Sequence, residues 1–325
     1  MTNLSIQEET LASLATASLM FGQGSTLLSS NAVLISVILY HQTLSNRKEF
    51  VVVLSVAVAD CLFGLGFLLM SSFNIYHTIS HGPSDHFSSK ECLLRPYTLL
   101  YIFSLPAQAL SLLSQSTDRL MAIKFPLFYF GLTVSYVWRA LSVIVILSLL
   151  QSAALVWISW TDLRWFQSLR CSPVDALSAE AFQIWTLSHS LPALCSILVF
   201  ACAMLSYRNY INKVVPGSDR EKMQQLKSQR KMTISMAISC IFTALFFLLP
   251  RMATVIVIQV TSPSRLQMLF REVAIIVYSV NSSLNLLIYW KRHREIRLGL
   301  RFLLQRKQLP ANFNAGSAVA SQAIG

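Results

Sequence analysis

The chain has 325 residues, of which 54% are hydrophobic and only 12% charged, with a mean hydropathy of +0.55. That composition excludes most soluble enzymes and indicates a membrane protein. Lys and Arg number 26 against 14 Asp and Glu, a formal +12, but these charges sit in the connections between apolar stretches, so they orient a membrane protein rather than mark a nucleic-acid partner. Six cysteines with no CxxC pair are too sparse for a disulfide scaffold or a zinc module.

A helix needs roughly 20 apolar residues to cross the hydrocarbon core. Seven intervals of that order are free of Asp, Glu, Lys and Arg or are broken once: 10–46, 50–84 with Asp60, 96–117, 140–161, 181–207, 232–264 with Arg251, and 273–290. They are continuous apolar runs without period-two alternation, which predicts helices rather than a closed barrel. The fold class expected is therefore an all-α membrane protein, a seven-transmembrane helix bundle with its termini on opposite sides.

With the amino terminus outside, 19 of the 26 basic residues fall in the inner connections, and that asymmetry sets the orientation. The sequon Asn3-Leu4-Ser5 then lies outside, where it is a candidate for glycosylation. The start carries Glu8 and Glu9 but no Lys or Arg, so the first helix is expected to act as its own signal anchor. Between spans five and six, residues 213–231 hold a Pro-Gly turn and then charges that extend helix six into the cytoplasm. After span seven, KRHREIRLGLRFLLQRK (291–307) places Ile296, Leu300, Leu303 and Leu304 at helical spacing among Arg and Lys. It reads as a short amphipathic cytoplasmic helix lying on anionic lipid. One membrane domain, 1–307, is thus followed by a tail, 308–325, that is small, uncharged and expected to be disordered.

The stretch TDRLMAIKFPLFY (117–129) closes the third span. Asp118 and Arg119 there could simply anchor the helix at the interface. Followed by Ala122-Ile123, Pro126-Leu127 and Tyr129, they resemble the third-helix terminus of rhodopsin-like (class A) G-protein-coupled receptors. Within that resemblance Ser30-Asn31 matches the first-helix Gly-Asn, Ala59-Asp60 the second-helix Ala-Asp, and Pro192 and Pro250 the fifth- and sixth-helix prolines. Asn285 and Tyr289 match the seventh-helix Asn-Pro-x-x-Tyr. The Asp-Arg-Leu form and the ending IYWKRHREIR (288–297) are similar to invertebrate serpentine chemoreceptors of the Srsx type.

The resemblance implies a receptor in the plasma membrane that binds an extracellular small molecule or peptide and activates a heterotrimeric G protein. It implies no catalysis, and it assigns coupling and activation to Asp118, Arg119, Asn285, Tyr289 and Pro250. Departures are Leu286 for the seventh-helix proline, Leu248 for the sixth-helix tryptophan, Phe200 for the fifth-helix tyrosine, and a fourth helix without its central tryptophan. Arg230 and Lys231 stand at the inner end of helix six in place of an acidic partner, which leaves Asp118 as the partner of Arg119.

Asp60 is a mid-span ionisable residue, costly unless paired or functional. Asn31, Gln108, Asn281 and Asn285 are the polar residues expected to reach it. The resemblance implies a sodium ion here, held by a carboxylate and amide oxygens; a neutral Asp60 hydrogen-bonded to the amides is the alternative. Cys92 and Cys171 are the two cysteines in outer connections, where an oxidising exterior favours their pairing. Arg251, one residue beyond Pro250, pairs with Glu272, snorkels outward to the surface or contacts the ligand. His77, His81 and His86 lack metal spacing and are expected in a solvated outer loop. A transporter or channel is the alternative function, and it predicts more midplane charges than Asp60 and Arg251.

Overall fold

The structure is a computed structural model that describes residues 2–81, 87–161, 167–168, 171, 176–214, 241–250, 252–253, 257 and 265–309. Five described helices are long and apolar enough to cross a membrane. They lie within α1 (Thr2–Tyr40), α3 (Lys48–His81), α5 (Pro96–Lys124), α7 (Val134–Thr161) and α8 (Ala179–Val214). Short helices α2 (Gln42–Ser45), α4 (Ser89–Leu93) and α6 (Pro126–Gly131) occupy the connections, and α9 (Arg265–Arg292) and α10 (Arg294–Leu304) close the described chain. The sixth expected span lies mostly outside the described residues. The seventh falls within α9, whose 28 residues extend about 42 Å at 1.5 Å per residue.

Cross-helix contacts fix the directions of these helices. Ser116 meets Ser196 at 2.8 Å while Trp185 donates to the Ile102 carbonyl, so α5 and α8 run parallel. Gln108 reaches Ser282 and Gln115 reaches Tyr289, so α9 is parallel to both. Gln151 pairs with Ser188 whereas Ser159 accepts from the backbone N–H of Ser178, which makes α7 antiparallel to α8.

Glycine sets the α1–α3 crossing. A Cβ at Gly24 would lie 2.9 Å from the Leu68 nitrogen, and one at Gly64 would lie 2.8 Å from Leu27 Cβ and 2.9 Å from the Leu28 nitrogen. Two small residues thus let two antiparallel backbones touch, as packing without a hydrophobic driving force in lipid requires. The largest buried cluster lies toward one end, around Phe63, Phe67, Tyr101, Leu155 and Trp185, and includes the disulfide. A second, around Leu34, Ile38, Phe50, Val53 and Tyr289, seats α10 through Ile296 and Leu298.

Three expectations change in detail. His77 belongs to α3, with its ring 4.7 Å from Phe87 and 5.8 Å from Phe73, because the helix runs on to His81 instead of ending in a solvated loop; His86 lies outside the described residues. The amphipathic helix spans 294–304, since the extended backbone of His293 (ψ 107°) separates it from α9. Gln308 and Leu309, assigned to the tail, are fixed against α1: Gln308 donates to the Tyr40 carbonyl at 2.8 Å, and the Leu309 N–H donates to His41 Nδ1 at 3.3 Å.

Candidate functional site

The end of α5 carries the first constellation. Pro126 stops the helix, because proline cannot continue the hydrogen-bond ladder, and starts α6, which turns Tyr129 back toward Asp118. The Tyr129 hydroxyl donates to Asp118 Oδ2 at 3.2 Å, and Arg119 Nη2 lies 3.4 Å from the same oxygen. Burial pushes the Tyr129 pKa above its ordinary value, so the phenol keeps the proton it donates. Lys48, at the start of α3, holds the turn from the other side. Its Nζ donates to the Tyr129 carbonyl at 2.6 Å and the Leu132 carbonyl at 2.8 Å, and stands 4.1 Å from the Tyr129 ring centroid. Asp118 and Arg119 are both buried, so the cation is held against its own neighbour and away from solvent.

Above this pair, Gln115 donates to the Tyr289 hydroxyl at 2.9 Å and Ser116 bonds Ser196. The helix carrying Arg119 is therefore tied to both α8 and α9 within one turn of it. Below it, His293 packs against Phe50 and Tyr289 at ring separations of 6.0 and 5.8 Å. Burial pulls the His293 pKa down to about 4, an effect that Glu295 partly offsets and Arg119 and Arg47 reinforce. Arg47 bridges to Glu295 at 3.7 Å, and His41 Nε2 donates to the Gly299 carbonyl at 2.8 Å, which docks α10 on α1.

At the opposite end the predicted disulfide is present: Cys92 is bonded to Cys171 across 79 residues, with 4.9 Å between Cα atoms. Cys171 takes a positive φ of 45°. A two-residue antiparallel ladder pairs β1 (Phe87–Ser88) with β2 (Gln167–Ser168), so the two connections are tied twice. Ser88 caps α4 through a reciprocal box with Glu91, and the Arg95 guanidinium lies 4.6 Å above the Phe73 ring. Deeper in, the Trp185 ring stands 6.1 Å from Tyr101 and 4.9 Å from His189.

At mid-bundle, Asp60 is fully buried. Gln108 Nε2 donates to Asp60 Oδ1 and, at 2.7 Å, to Ser282 Oγ. Asn31 turns its amide N–H onto the Leu27 carbonyl at 3.0 Å. The Gln108 amide nitrogen faces Asp60 Oδ1 where a hard cation needs oxygen, while Asn31 Oδ1 is buried with no hydrogen-bond partner among the described residues. The side chains of Asn281, Asn285, Glu272 and Asn3 lie outside the described residues, as does Arg251. Pro250 lies two residues beyond the end of a π-helical turn, Ala244–Leu248. Such single-turn bulges recur at functional sites, and no spacing in the sequence announced this one.

Five described helices able to cross a membrane, a buried Asp118–Arg119 pair at the end of α5, and a disulfide joining α4 to the connection before α8 make this a multi-pass membrane bundle. Residues 27–304 match the family described as serpentine type 7TM GPCR chemoreceptor Srsx, and the chain belongs to that family. No curated protein sequence matches it.

Proposed function

We propose that this chain is a plasma-membrane receptor that binds an extracellular small molecule or peptide and activates a heterotrimeric G protein. The observation that carries this reading is the Asp118–Arg119 pair, buried and clasped by Tyr129 at the end of α5 remote from the disulfide. On this reading a cation held in that way acts as a closed latch. Agonist favours a second arrangement in which Arg119 leaves Asp118 and faces the G protein, a population shift rather than catalysis.

Helix directions support seven spans. α5, α8 and α9 run parallel while α7 runs opposite, so α9 begins at the face opposite the one at which α8 ends. A sixth span between α8 and α9 would account for this, and residues 241–250 between them are helical. The basic asymmetry of the sequence supports an outside amino terminus, which would set α10 at the cytoplasmic surface with Arg294, Arg297 and Arg301 available to anionic lipid. Arg251 and Glu272 remain the proposed ligand contacts.

The test is reconstitution of purified receptor in liposomes with a purified G protein, screened against a ligand library. Agonist-stimulated nucleotide exchange is expected. Substrate uptake or ion current, with no exchange for any ligand, would establish the transport class instead.

A further inference from the structure

We infer that the Asp60 cradle is closed by Gln108 and takes no metal cation, the glutamine amide standing where the sodium ion implied by the family resemblance would sit. A buried carboxylate only accepts hydrogen bonds, so it requires donors or a cation. Gln108 supplies the donor: its Nε2 faces Asp60 Oδ1, and the same nitrogen reaches Ser282 Oγ at 2.7 Å, all three side chains being buried. The acceptor-only carboxylate fixes which end of the amide points at it. An ion entering here would have to displace two N–H···O bonds and turn the Gln108 amide over to present its oxygen.

Gln108 is also not isolated. Gln115 lies two helical turns further along α5 and reaches Tyr289, which lies seven residues beyond Ser282 on α9. Two amide rungs at the same spacing thus join the parallel helices α5 and α9. The upper rung extends to α3 through Asp60, so three helices are coupled by fixed protein groups where an exchangeable ion would otherwise couple them.

Thermal unfolding of purified receptor in equimolar sodium, potassium and choline chloride tests this without any signalling readout, so its failure is separate from failure of the receptor reading. Wild type is expected to unfold at the same temperature in all three salts. Gln108→Ser exchanges the amide for a small hydroxyl, and it is expected to gain a sodium-specific rise of about 3 °C, the size expected for an ion at roughly ten times its Kd. Asp60→Asn should abolish that rise. A sodium-specific rise in wild type that Asp60→Asn removes would overturn the inference. So would a Gln108→Ser protein that folds and stays indifferent to sodium. Should that variant fail to fold, the wild-type comparison alone decides.

Discussion

Removing the Tyr129 hydroxyl takes an O–H donor from Asp118 and leaves Arg119 less firmly held. A hydrogen bond to a charged group is worth about 1.5–3 kcal/mol, so Tyr129→Phe should shift the resting equilibrium toward the open state by roughly tenfold or more. The expected outcome is raised agonist-independent nucleotide exchange at matched expression; unchanged basal exchange would show that the clasp does not hold the latch. His293 gives a pH signature. Its folded-state pKa of about 4 lies below the ordinary 6.5, so the unfolded chain takes up the proton first. Stability is therefore full above pH 6.5 and falls as pH drops from 6.5 toward 4, by about 3 kcal/mol at the end of that window. His293→Gln should flatten this fall in a thermal-unfolding series.

The sequence made the Asp118–Arg119 pair and its mutual pairing visible, because the residues are adjacent and end an apolar run. It did not reveal the clasp. Lys48 and Tyr129 are 81 residues apart, and only the turn at Pro126 brings Tyr129 back. Gln108 was expected at Asp60 and is found there, but the Gln108–Ser282 and Gln115–Tyr289 bonds were opaque, since each joins residues 174 apart.

Among the elements, the apolar spans were legible from length alone, since a helix in lipid satisfies its own backbone and needs only apolar side chains. The ends were less so. α3 runs on to His81, and its His77 ring packs against Phe73 of the same helix and against Phe87, which lies on a strand paired with a distant connection. The α1–α3 crossing depends on Gly64, where even one added carbon meets backbone. Gly64→Val should cost about 1–3 kcal/mol from overpacking, read as a lower unfolding temperature and reduced surface expression. Gly22→Val, where a Cβ meets nothing within 4 Å, is the matched control and should leave both unchanged. Equal loss in the two variants would mean that the crossing is not set by this contact.

At the scale of the molecule, a disulfide and a two-residue ladder close one end while α10, His41 and the Asp118–Arg119 pair close the other. Ligand entry is expected at the first end and G-protein contact at the second. Tags on both termini, stained in intact and permeabilised cells, should show the amino-terminal tag on intact cells and the carboxyl-terminal tag only after permeabilisation. The most direct test of the receptor reading compares wild type with Arg119→Ala, using an agonist from the library screen and purified G protein. Agonist binding should be retained in the variant and nucleotide exchange lost. An Arg119→Ala receptor that binds agonist and drives exchange at the wild-type rate would contradict the latch.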